Sequence, residues 1–115
     1  MNSYHCTILN ERRIIMNKND VYVPYRILVD MSLTPTAEMI MIELLNEEAK
    51  NGETHFTNKE IANKFGYSTS SVSNAIRLLK NKGLIHIELI NKNFRKISTD
   101  KDLLKETVLA RKRAK

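Results

Sequence analysis

From Thr34 onward apolar side chains recur at three- and four-residue intervals in three stretches, alternate in two short ones, and return to the helical interval near the end of the chain. Thr34 followed by Pro35 opens the first stretch: a hydroxyl accepts one of the amides that a helix start leaves unpaired, and proline has no amide to lose there. Ala37, Ile40, Met41, Leu44 and Leu45 mark one face, Glu38 lies in the first turn where the macrodipole favours an acid, and Asn51-Gly52 stops the helix. Met39 and Ile42 fall outside that stripe. The helix therefore meets a second body, either the chain's own terminal segments or another subunit, with core packing the preferred reading.

Thr54 to Phe56 is a short extended piece. Thr57 followed by Glu60 is a capping box before Ile61, Ala62 and Phe65, and Gly66 ends that second helix. Ser68 caps a third, Thr69 to Lys80, with Val72, Ile76 and Leu79 inward and Gly83 as its C-cap. Two short helices joined by a turn that includes glycine form a helix-turn-helix unit. Leu84 to Ile90 then alternates, Asn91-Lys92-Asn93 is a turn, and Phe94 to Ser98 is a second strand, so a β-hairpin follows directly. A last helix starts at Thr99 or Asp100, carries Leu103, Leu104, Val108 and Leu109, and finishes in Arg111-Lys112-Arg113-Ala114-Lys115. Upstream, Val21 to Asp30 reads as an extended lead-in in which Pro24 removes a ladder donor and Arg26 to Met31 fits one helical turn. A hairpin and a loose arm both fit residues 1–20. The expected organisation is an arm or short hairpin at 1–20, a domain at 21–99 and a C-terminal helix with a basic tail at 100–115; the fold class is mainly α with a small β-hairpin, α+β.

A chain of 115 residues and 13.3 kDa makes one compact domain, without room for a large catalytic cleft. Three glycines, two prolines and the lone Cys6 exclude collagen, disordered repeats and a disulfide scaffold. No run approaches the roughly 20 apolar residues that span a bilayer, and Glu11, Arg12, Arg13, Lys18 and Asp20 break any signal-peptide segment. A cytoplasmic protein without a membrane partner is expected. The formal charge of +6 is unevenly placed: residues 31–58 hold one basic and five acidic groups, whereas residues 59–96 hold eight basic and two acidic. One face thus suits phosphates and another does not.

The run HFTNKEIANKFGYSTSSVSNAIRLLKNKGLIHI at positions 55–87 resembles the winged helix-turn-helix DNA-binding family. The resemblance covers about residues 23–99 and implies that the helix before Gly66 supports, the helix after Ser68 reads DNA, and the hairpin is the wing. The lead-in VPYRILVDMSLTPTAEMIMIELL, 23–45, looks like the N-terminal domains of plasmid and phage replication initiators, where a Val-Pro segment precedes the first helix. Small regulators of the multidrug-resistance repressor type share the core. Independently of the resemblance, a helix with Val72, Ile76 and Leu79 inward presents Thr69, Ser70, Ser73, Asn74, Arg77 and Lys80 outward. Small hydroxyls allow close approach to a major groove, Asn pairs with adenine edges and Arg with guanine edges. Ser68 to Ser71 suit a phosphate at the helix start. In the wing, Lys92, Arg95 and Lys96 are candidates for a flanking backbone or narrow minor groove, and Lys59 and Lys64, with Lys82, for phosphates. Tyr67 at the turn is suited to a phosphate or to packing. The acidic side chains Glu38, Glu43, Glu47 and Glu48 of the first helix then face away from DNA.

The expected function is sequence-specific duplex binding as a homodimer, in transcription regulation or in plasmid or phage replication or partition at origin or centromere repeats. Pairing would use the terminal segments, the outer side of the first helix with Met39 and Ile42, and the helix holding Leu103, Leu104 and Val108. A further protein partner from a replication or partition complex fits that role. The alternative is a protein-interaction module that works through the acidic first helix. His5, His55 and His86 are scattered, no metal-binding spacing occurs, and no glycine-rich phosphate cradle or nucleophile set is present, so neither a metal, a cofactor nor an enzyme activity is expected.

Overall fold

The computed structural model describes residues 7–9, 13–15 and 21–113, with side chains from 21 onward. Near the N-terminus, β1 (Thr7–Leu9) pairs antiparallel with β2 (Arg13–Ile15), Ile8 opposite Ile14. Of the hairpin and the loose arm, these six described residues take the strand pairing of a hairpin. His5 and Cys6 lie outside the described residues. The lead-in forms the single turn α1 (Tyr25–Leu28), placed one residue after Pro24 so that proline costs no helical hydrogen bond. Helix α2 (Pro35–Asn51) begins where Thr34 Oγ1 accepts from Ala37 N at 3.1 Å, and ends at Gly52 with φ of 83°, a left-handed conformation that glycine adopts without strain.

Helices α3 (Asn58–Phe65) and α4 (Thr69–Asn81), strands β3 (Ile85–Asn91) and β4 (Phe94–Thr99), and helix α5 (Lys101–Arg113) complete the chain. The cap of α4 is Lys82, with Gly83 one position beyond it: Gly83 N donates to Lys80 O and Leu84 N to Leu79 O, both at 3.0 Å. Among the described residues no helix is long and apolar enough to cross a membrane.

Helix α2 is the centre of the core, packed against α4 and α5 and the end of β4. Ile40, Met41, Leu44 and Leu45 of α2, Val72 and Leu79 of α4, Ile97 of β4 and Leu103 of α5 are all buried together. Each such side chain stabilises the fold by about 1.5–3 kcal/mol relative to exposure. The expectation that Ile42 and Leu103 lie on an outer, subunit-pairing surface is corrected here: both are buried within the chain. The second body that α2 meets is its own C-terminal helix. Asn46 secures that contact, because its amide pairs both ways with the Tyr22 backbone at 2.9 Å and accepts from Arg111 Nη1 of α5 at 3.0 Å.

Glu48, one of the acids expected to face away from DNA, is turned into the fold. Its Oε1 is buried and accepts from Thr99 N at 2.8 Å and from Thr99 Oγ1 at 2.7 Å, fixing the end of β4 to α2. Glu48→Ala would leave both Thr99 donors unpaired and should cost roughly 1–3 kcal/mol, read as a lowered midpoint of urea unfolding. A midpoint equal to wild type would show that water replaces the carboxylate there.

Candidate nucleic-acid interface

Thr57 closes the start of α3 with both bonds of a capping box: its hydroxyl accepts from Glu60 N at 3.1 Å while Glu60 Oε1 accepts from Thr57 N at 2.9 Å. Ile61 and Ala62 turn inward. At Gly66 the chain bends with φ of 72°, Tyr67 N donates to Ala62 O at 3.0 Å, and the Phe65 and Tyr67 rings stack with centroids 5.6 Å apart. Tyr67 is thus half-buried in the joint that sets the angle between α3 and α4.

Helix α4 buries Val72, Ala75, Ile76 and Leu79, and this places Thr69, Ser70, Asn74, Arg77 and Lys80 in the open and Ser73 half-buried on one outward face. Arg77 Nη1 donates to Asn74 Oδ1 at 3.2 Å, so amide and guanidinium stand together before any partner arrives. The remaining N–H groups of both point outward as donors, a set that matches purine acceptors on a groove edge. Ser68 and Ser71 are exposed, yet their hydroxyls hold one another at 2.9 Å while Ser68 Oγ accepts from Ser71 N at 3.1 Å. These two serines secure the helix start. At the other end Lys82 Nζ lies 4.0 Å from Asp30 Oδ2, and hydrogen bonds from the Ser32 hydroxyl and backbone hold the Asp30 carboxyl below its usual range.

The hairpin β3–β4 is joined to the body at its base. Thr54 adds a bridge to its edge, with Ile97 N donating to Thr54 O at 2.9 Å. Arg95, expected at the tip, turns back: its Nε donates to Phe56 O at 2.9 Å and its Nη2 to Asn58 Oδ1 at 2.8 Å. Burial lowers the Arg95 pKa, with Glu60 acting in the opposite direction. His55 Nδ1 lies 2.9 Å from Arg95 O and its ring stacks on Phe94 at 4.4 Å. Lys96 Nζ lies 3.7 Å from Glu53. On the supporting helix Lys64 pairs with Glu43 of α2 at 2.7 Å. The side chains of Arg95, Lys96 and Lys64, all expected to reach DNA, are therefore engaged within the subunit, whereas Lys59, Lys80 and Lys92 are exposed and form no ion pair among the described residues.

Residues 32–85 match the family model described as a helix-turn-helix domain. The chain carries a winged helix-turn-helix. No curated protein and no solved structure matches it. The hairpin is the wing and α3 and α4 are the helix pair of that domain, an arrangement suited to binding DNA. Among the described residues no group of three His, Cys, Asp or Glu comes close enough to hold a metal ion. Sequence reasoning passed over Asn58, which receives Arg95, and over the exposed Leu89, Ile90 and Phe94 of the wing. Leu89 and Ile90 in succession next to a turn were the available sign, because consecutive apolar residues in a strand cannot share one buried face.

Proposed function

We propose that the chain binds a specific site on duplex DNA as a pair of copies, each laying α4 in a major groove, and that it regulates transcription or serves plasmid or phage replication or partition at repeated sites. It acts without catalysis, in the compartment that holds the DNA. The carrying observation is the outward face of α4, where Asn74 and Arg77 are joined to one another among small hydroxyls, with Lys80 one turn on. Single domains make few base contacts, and a two-fold pair on a repeated or palindromic site doubles them. Tyr25, Leu28, Val29 and Met31 form an exposed apolar group at α1 that supports pairing of copies.

The rival reading, a protein-interaction surface on the acidic side of α2, is weakened because Glu48 is buried and Glu43 is paired to Lys64. The two readings separate on Asn74→Ala and Arg77→Ala. Each should weaken binding to a site selected from random-sequence duplex by about tenfold to a hundredfold, the cost of one bidentate base contact, and change binding to unrelated duplex far less. Equal loss on all sequences would make both residues backbone contacts, and no loss on any would remove α4 from the interface.

A further inference from the structure

The wing tip offers something other than charge. Lys92 alone among its three cations extends from the tip, since Arg95 and Lys96 reach back to residues 53–58. What the tip exposes instead is apolar: Leu89 is 77 % exposed, Ile90 50 % and Phe94 43 %. The ladder pairs Leu89 with Arg95 and Asn91 with Phe94, which leaves Ile90 as the extra residue of a bulge. A bulge twists a hairpin and re-aims its side chains, and here both Leu89 and Ile90 come out into solvent.

We propose that this tip is an apolar wedge that enters the minor groove beside the reading helix and unstacks a base step. The proposal rests on the DNA-binding reading above. Three features fit a groove better than a flat protein partner. The tip is a two-stranded turn that exposes Leu89 and, at the bulge itself, Ile90, a form suited to entering between stacked bases rather than lying against a surface. Its base is stiff, because the Phe94 ring stacks on His55 and Arg95 ties β4 to Phe56 and Asn58, and an insert that yielded could not hold a step open. The tip is also continuous with the phosphate-facing side of the domain: Asn58, the anchor of Arg95, is followed by the exposed Lys59, and Lys92 stands at the apex. Those two cations suit the phosphate rows on the two sides of a minor groove.

The test uses the full chain and short duplexes of the selected site in which 2-aminopurine, a base analogue that brightens when unstacked, occupies successive positions. Wild type should produce a severalfold rise at one step flanking the α4 contacts. The Leu89→Ser/Ile90→Ser variant, altered only at exposed positions, should keep the wild-type melting temperature, lose that rise and bind about tenfold more weakly, the change made by losing one anchor. An unchanged fluorescence profile in the variant would overturn the wedge. Binding that depends on Arg77 but brightens no position would overturn the wedge and leave DNA reading intact. Failure of wild type to bind any duplex would remove the DNA-binding reading, and the wedge with it. A halved particle mass in light scattering of the variant, without change in fluorescence, would show the tip joining two copies and would overturn the wedge.

Discussion

Raising the salt from about 50 to 200 mM is expected to weaken duplex binding by about fortyfold if one copy binds and by about two-thousandfold if two bind together. The figure follows from which cations the fold leaves on the DNA side. Lys59, Lys80 and Lys92 are exposed and form no ion pair among the described residues, Arg77 is assigned to a base edge, and Lys64, Lys82, Arg95 and Lys96 are held by Glu43, Asp30, the Phe56 and Asn58 oxygens, and Glu53. Each phosphate neutralised contributes roughly 0.9 to the slope of log affinity against log salt, so three per copy set the steepness. If the four held cations reached phosphates as well, a single copy would already lose several thousandfold over the same range. Light scattering of the complex fixes the number of copies, and the slope then counts the contacts. Lys59→Ala and Lys92→Ala should each lower the slope by about one per copy, whereas Lys96→Ala should leave it unchanged. A Lys96→Ala slope as low as that of Lys59→Ala would mean that the Glu53 pair opens on DNA.

Leu79→Ala should produce the largest loss of stability, about 2–5 kcal/mol, which lowers the melting temperature by about 10 °C or more. Leu79 is fully buried between α4 and the rest of the core, and its carbonyl receives Leu84 N where the reading helix turns into the wing. Truncation thus opens a cavity at the point that joins three elements, and the backbone held at both ends limits collapse around it. Arg77→Ala, two residues earlier on the opposite face, should change stability by no more than about 0.5 kcal/mol. Thermal unfolding followed by circular dichroism separates the pair. Equal losses from both variants would show that Arg77 supports the fold and would remove it from the reading face.

The helix boundaries were legible because they depend on neighbours. Thr34 caps Ala37, Thr57 and Glu60 cap each other and Ser68 caps Ser71, all within three residues, and a side chain that close finds its amide in any tertiary setting. The reading face was legible for the same reason: once Val72, Ile76 and Leu79 turn inward, helical geometry puts Asn74 and Arg77 outside. The charges were not. Arg95 and Asn58 are 37 residues apart, and Glu48 and Thr99 are 51 apart. Neither spacing has a period that could announce the pair.

The amino-acid order alone therefore determined four helices, a hairpin and which side chains of α4 lie outward, since each of these follows from hydrogen bonds and apolar stripes within one or two turns. Tertiary packing decided the rest. It chose α5 as the cover of α2, buried Glu48 against Thr99, turned Arg95 and Lys96 from the groove to the body and left Leu89 and Ile90 in the open. Electrostatic and packing contacts between elements depend on how close docking brings them, and only the folded chain sets that distance.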